Sequence, residues 1–351
     1  MVTGAATTTG VGLTLPQLGP HVTRDAVRAF CESAEALGFT SLWVQEHLFY
    51  ALNPSAPYAA RPGTPVPEAY KITLGATELL TAAAAWTERP LLGTGILVGG
   101  YHRPVELAQR LAAIDILSNG RLIAGLSVGW SKDEHDQMEV EFTTRGRRMD
   151  ELVRALKACW GPDPVNFEGE FFSIRDALVS PKPLQQPHPP LLSGMRSGAG
   201  LKRTAALFDI WNPASGTTEQ ILAAVADING MRPADAAPIG VIQRIFTEPP
   251  FVVPGLAPLS VEAMQATVAT ARANGFREVV IDTAFTTEVH SPDDWAAFPA
   301  RLAPAVARRI VEHLERRQGT AYVPGYWAPI MGVVRGLPEP LFQRLGFLSG
   351  R

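Results

Sequence analysis

The sequence predicts an α/β fold, a (β/α)8 barrel. Three observations predict it. Short apolar, β-branched runs alternate with amphipathic helical patterns eight times between residues 11 and 314, the order that builds a parallel sheet with crossover helices. No long Pro/Gly/Ser linker divides the 351 residues, so one barrel fits better than the two or three domains that length alone suggests. The glycines of Leu37-Gly38-Phe39 and Asn274-Gly275-Phe276 stand where a helix ends and a strand begins, the position that a left-handed C-terminal cap requires.

Strand one is expected at residues 11–15, followed by a helix at 24–37, and strand two at 41–45, followed by a helix at 75–86. The Pro-rich stretch 50–69 between them leaves the C-terminal end of strand two. Barrel active sites form on that face, so this stretch is expected to be a lid. Strand three, 91–98, contains Gly93 and Gly95; glycine weakens a strand unless a ligand or an unusual backbone needs the space. A helix at 105–117 leads through the Asn119-Gly120 turn to strand four, 122–128, which opens at Gly129 into the charged loop 131–136. After the helix at 145–160, an aromatic hairpin-like piece (Phe167 to Phe172) and a Pro-rich return form a second insertion, 167–190. Strands five to eight follow at 190–193, 209–212, 239–246 and 278–282, with helices at 198–206, 218–229, 261–274 and 293–314. A third insertion, 249–258, leaves strand seven. The barrel is expected to fill residues 1–315, and the apolar extension 316–351 to pack on it or on a partner subunit.

Composition narrows the function. With 46% hydrophobic residues the chain can bury a large core, and a net charge of −3 gives no electrostatic case for nucleic acid or an anionic membrane. Cys31 and Cys159 lie in helical patterns without metal-ligand spacing, which favours a reducing compartment over a disulfide framework. The N-terminus lacks a signal-peptide pattern, and no apolar run approaches the ~20 residues needed to span a bilayer. A cytoplasmic protein is expected. Walker, HExxH, Cys-His and dinucleotide fingerprints are missing from the sequence.

Chemistry-bearing residues gather at the expected strand ends. Strand two runs into Glu46-His47, an acid beside a histidine, which can orient a proton donor; the bland alternative is a packing pair. Strand three leads into Tyr101 and His102. Strand five ends in Ser193-Gly194-Met195-Arg196-Ser197 before a helix, where backbone N–H groups and an arginine make an anion cradle.

These pieces, with Trp43 before the Gln45-Glu46-His47 run, Arg103-Pro104, Asp115 to Arg121, Arg145 to Glu151 and Phe167 to Phe172, resemble the luciferase-like monooxygenase superfamily. Within it they are most similar to the coenzyme F420-dependent oxidoreductases, over residues 10–310. The resemblance implies a barrel holding coenzyme F420, or alternatively FMN, at its C-terminal mouth. A non-prolyl cis peptide between Gly95 and Ile96 would bulge under the ring, with Val98, Val128 and Gly129 beside it, and the loop Ser193, Gly194, Met195, Arg196 and Ser197 would hold the phosphate. His47 would be the proton donor and Glu46 would contact the ring edge; Trp130, Tyr101 and His102 would wall the substrate pocket. Two departures stand out: Met195 replaces the second glycine of the usual loop, and Trp130 stands where the sugar-phosphate and alcohol dehydrogenases carry an acid. Val128 also lacks the phosphate-binding arginine of bacterial luciferase. The reading implied is an F420-dependent oxidoreductase acting on a small organic substrate, a homodimer supplied by an F420- or flavin-reducing enzyme. An FMN-dependent monooxygenase and a non-catalytic cofactor-binding barrel are the alternatives.

Overall fold

The computed structural model describes residues 9–60, 63–213, 215–248 and 259–316. The insertion 249–258 and the extension from 317 onward lie outside the described residues. Strand β1 (Gly10–Thr14) pairs in parallel with β2 (Ser41–Val44), and β2 with β3 (Leu91–Thr94). Both β3 and the short β4 (Leu97–Val98) pair with β5 (Leu122–Ser127). An antiparallel hairpin, β6 (Val165–Glu168) with β7 (Ser173–Ala177), stands outside the main sheet. The circuit continues through β8 (Leu191–Ser193), β9 (Ile210–Trp211), β10 (Gly240–Phe246) and β11 (Glu278–Asp282) and returns to β1. Because β3 and β4 are halves of one barrel strand, the sheet is the closed eight-stranded parallel barrel that the sequence predicts.

Among the described residues, eight helices follow the barrel strands: α1 (Arg24–Ala36), α2 (Ala76–Trp86), α3 (Pro104–Leu117), α5 (Arg145–Trp160), α6 (Gly198–Leu207), α7 (Thr218–Met231), α8 (Val261–Ala273) and α9 (Pro292–Arg316). The charged stretch expected to be a loop forms an extra helix, α4 (Lys132–Gln137). Its N-cap Ser131 accepts a hydrogen bond from the Glu134 amide at 3.2 Å, and Asp133 and Glu134 lie in its first turn, where the helix dipole favours negative charge. The expected aromatic hairpin is present. The Glu151 carboxylate gathers the amides of Glu170, Phe171 and Phe172 in its turn, the closest at 2.6 Å.

Side chains alternate between two cores, as strand geometry dictates. Leu42, Leu122, Leu191 and Val279 face the helices, while Trp43, Ile123, Leu192 and Val280 fill the barrel interior. The inner core explains one of the strand-three glycines. A Cβ on Gly93 would overlap the Trp43 indole, so that glycine makes room for packing rather than for a ligand. Where β3 gives way to β4, the Thr94 hydroxyl donates to the Gly125 carbonyl at 2.8 Å and accepts from its amide at 2.7 Å. One side chain thus satisfies both backbone groups that the interrupted ladder leaves open. At the opposite end of the barrel, buried Arg121 bonds Ser118, Thr87, Pro90 and Ala84, using all five N–H donors.

Candidate active site

At the C-terminal end of β2, the chain continues through Gln45, Glu46 and His47. Successive side chains of an extended backbone face opposite ways, and this separates the expected acid–histidine pair. Glu46 reaches toward strand three: its Oε2 accepts from the Val98 amide at 2.6 Å, and its Oε1 lies 3.0 Å from His102 Nε2. His47 turns the other way, placing Nδ1 3.2 Å from Glu134 Oε1 on α4. The structure therefore contains two crossed pairs, Glu46–His102 and His47–Glu134, in place of one pair between sequence neighbours.

Glu134 is the residue the sequence reading missed. Its side chain is buried, and its oxygens also accept from the Leu48 amide at 2.7 Å and the Tyr101 hydroxyl at 2.6 Å. Burial on its own would raise the carboxyl. The hydrogen bond and charge of His47, with the Tyr101 and Leu48 bonds, outweigh it and hold Glu134 below the ordinary carboxylate range. Burial, then the nearby Glu134 charge, pushes the Tyr101 phenol above its usual value, so Tyr101 stays a neutral donor. Tyr101 and His102, expected as pocket walls, each serve one of the two acidic residues.

The expected lid folds over this end of the barrel. Tyr70 stacks on His47 with ring centroids 3.9 Å apart and meets Phe285 edge-on at 5.6 Å. Tyr58 shares a hydroxyl contact of 3.2 Å with Tyr70 and packs against Trp130 at 5.1 Å. Trp130 in turn lies 5.8 Å from the His47 ring. Aromatic faces from the stretch after β2 and from the end of β5 thus flank His47, with Phe285 after β11 behind Tyr70.

The peptide between Gly95 and Ile96 is cis. It is flanked by the Gly95 amide donating to Val44 O at 2.6 Å and the Glu46 amide donating to Ile96 O at 3.1 Å, so strand two holds the bulge on both sides. Val98 is buried and Val128 half-buried. Gly129 has φ +74°, and a Cβ there would come within 2.6 Å of Val98 and 2.8 Å of His135, which restricts the position to glycine. Across the mouth, a Cβ on Gly194 would lie 2.9 Å from Ile96 Cγ2. Met195 turns its side chain into the core, and its carbonyl accepts from Trp211 Nε1 at 2.8 Å. Ser193 is buried against Thr204 at 2.6 Å. Ser197 caps α6 through the Gly200 amide at 3.0 Å, and exposed Arg196 bonds the Ser215 hydroxyl. The bulge and the loop therefore face each other closely, with exposed backbone at the start of α6.

The floor beside the bulge is polar, and the sequence reading missed it as well. Arg244 on β10 donates to Asp282 Oδ2 at 2.7 Å, to the Gly95 carbonyl at 2.5 Å and to Gln45 Oε1 at 3.1 Å. Asp282 is fully buried and also accepts from Thr14 at 3.0 Å and the Ala284 amide at 2.9 Å. Among the described residues, buried Gln45 Nε2 has no hydrogen-bond partner. No cluster of metal-binding type occurs among the described residues, and none of their helices is long and apolar enough to cross a membrane.

A family model described as luciferase-like monooxygenase matches residues 5–247. The chain is 34% identical to the FMNH(2)-dependent dimethylsulfone monooxygenase of Pseudomonas putida, covering 46% of this chain and 45% of that protein. It is 30% identical to the F420-dependent glucose-6-phosphate dehydrogenase of Amycolatopsis mediterranei, covering 49% and 47% respectively. The chain spans about half the length of these curated relatives. An F420-dependent secondary alcohol dehydrogenase in complex with an F420-acetone adduct superposes with a TM-score of 0.65 at 14% identity, over 85% of this chain and 99% of that one; at that identity the likeness is one of fold.

Proposed function

The chain belongs to the luciferase-like monooxygenase family, and from that membership we propose an oxidoreductase that transfers a hydride between coenzyme F420 and a small organic substrate. The observation that carries this reading is His47, half-buried among aromatic rings and held by a carboxylate at the barrel mouth. Hydride transfer needs a positioned proton and a site from which water is kept away. The relatives of this family include both F420- and FMN-dependent enzymes.

The residues present fit such a cofactor. The Gly95–Ile96 bulge faces Gly194 closely enough that a side chain there would intrude, and Gln45 Nε2 is an orphan donor beside it. The bulge would support the ring, and the backbone of Gly194 to Ser197, with Arg196, would hold the phosphate. When bound, the deazaflavin supplies the hydride. His47 keeps Nδ1–H on Glu134, which leaves Nε2 as the nitrogen that gives up a proton to the substrate atom beside the hydride acceptor. Glu134, ionised and buried, balances the positive imidazolium before that proton leaves. Tyr58, Tyr70, Trp130 and Phe285 keep water from the reacting centre. Glu46 holds the exit of strand three through Val98 and His102. Reduction of a C=C or C=N bond suits this set. A cytoplasmic homodimer receiving reduced cofactor from a separate reductase belongs to the same proposal.

The 34% identity to an FMNH(2)-dependent enzyme favours a second reading, an FMN-dependent monooxygenase on the same barrel. Titration of the protein with F420 and with FMN, followed by ring fluorescence, separates the two. Micromolar F420 binding and oxidation of reduced F420 by a panel of unsaturated substrates are expected. FMN binding without F420 binding would overturn the proposal. His47→Ala is expected to lower turnover about 10²–10⁴-fold, the range for a positioned general acid, with cofactor affinity kept.

A further inference from the structure

Gln45 presents a donor whose direction is imposed by its surroundings. A guanidinium only donates hydrogen bonds, so the atom 3.1 Å from Arg244 must be the carboxamide oxygen. Arg244 cannot relax away from it, because Asp282 and the Gly95 carbonyl hold its other N–H groups. The Gln45 backbone is equally fixed: Gln17 accepts from its amide at 2.8 Å and donates to its carbonyl at 2.6 Å. The Nε2 group is left with two N–H bonds, buried, and without an acceptor among the described residues. Gln45 is only 9% exposed. A buried unpaired donor costs about 1–3 kcal/mol, and so calls for a reason.

We propose that Gln45 Nε2 is a ring-reading donor that pairs with a carbonyl-type acceptor on the planar heterocyclic cofactor at the barrel mouth. The position supports this: Gln45 directly follows β2, whose last residue, Val44, accepts the bulge amide of Gly95. Arg244 ties the same bulge carbonyl and the same carboxamide together, so the bulge and the donor are held at a fixed spacing. Gln45, Arg244 and Asp282 thus form one device. Arg244 and Asp282 are its positioning residues, and Gln45 is the group that meets the ligand. A ring with an oxo group at the matching edge is accepted; one with a donor there leaves two donors opposed.

The inference rests on the reading that a deazaflavin or flavin binds at this mouth, and the experiment separates the two. Wild type, Gln45→Glu and Gln45→Met are titrated with F420 and FMN by ring fluorescence, without substrate. Gln45→Glu keeps an oxygen for Arg244 and replaces the donor by a carboxylate. Gln45→Met removes both polar atoms at similar length. Whichever cofactor the wild type binds, both variants are expected to raise its Kd about tenfold or more, and to shrink the rise in Tm that the cofactor produces. In wild-type protein labelled with 15N-glutamine, the Gln45 carboxamide signals are expected to move downfield on cofactor addition, a test that needs no altered fold. Wild type that binds neither ring refutes the cofactor reading and the inference with it. Wild type that binds, with variant affinities and carboxamide signals unchanged, refutes the inference alone. An effect confined to substrate KM also overturns it, because the acceptor would then lie on the substrate.

Discussion

Replacing Glu134 tests the hub of the site directly. Glu134→Ala strands three groups, the Leu48 amide, the Tyr101 hydroxyl and His47 Nδ1. Hydrogen bonds to a charged group contribute about 1.5–3 kcal/mol each; three that share one carboxylate are not additive. The loss expected is therefore about 3–5 kcal/mol, as for removal of one member of a buried ion pair. For a chain of this size about 2 °C of Tm corresponds to 1 kcal/mol, so melting should fall by about 6–10 °C. Glu134→Gln keeps the shape and one acceptor and should lose less at neutral pH. Its value lies in the acid limb. The folded-state carboxyl is held below its ordinary value of 4.5, so its stabilisation is complete above that pH and disappears as pH falls through the lower folded value. Glu134→Gln has no such contribution to lose. The Tm gap between wild type and Glu134→Gln, followed by circular dichroism from pH 7 to pH 3.5, should therefore narrow toward acid. A gap that stays constant, or Glu134→Ala melting within about 2 °C of wild type, would refute the assignment of Glu134 as a buried ionised acceptor.

Four further outcomes follow from the barrel itself. Thr94→Val leaves both backbone groups of Gly125 unpaired at nearly constant volume and should cost about 2–3 kcal/mol in urea melts; Gly125→Ala, whose Cβ would overlap the Thr94 carbonyl, should fail to give soluble protein. Arg121→Lys cannot reproduce the five-donor fork at the far end of the barrel and should lower Tm by several degrees while leaving kcat unchanged. Burial pushes the Cys31 thiol up to about 12 and the Cys159 thiol up to about 11, so neither should react with a disulfide reagent at pH 8 until denaturant is added, and both should react then.

Most of the barrel was legible because its strands alternate between two apolar cores, and that alternation is written in runs such as 41–45 and 278–282. The break in strand three was legible only through resemblance, since a lost ladder rung depends on what the neighbouring strand supplies. Helix α4 was misread because six polar residues carry no apolar period. The signal was nonetheless present: Ser131 followed three places later by Glu134 has the spacing of a capping box. The partnership of His47 with Glu134 spans 87 positions, and no local pattern reports such a contact. Adjacent placement of Glu46 and His47 suggested a pair, yet adjacency on an extended backbone drives the two side chains apart. Arg244 could have been noticed as a charge inside a strand that is otherwise barrel wall, a placement that is rare without a partner.

Three consecutive side chains after β2 are spoken for by three distant neighbours: Gln45 by Arg244, Glu46 by His102 and His47 by Glu134. This part of the molecule therefore cannot be transplanted as a peptide. A designer moving the Gln45-Glu46-His47 segment into another barrel would have to carry the end of β10, the turn after β4 and the whole of α4 with it. Loops on the outer rim carry none of these three contacts, and that division sets where the chain could be altered without disturbing His47.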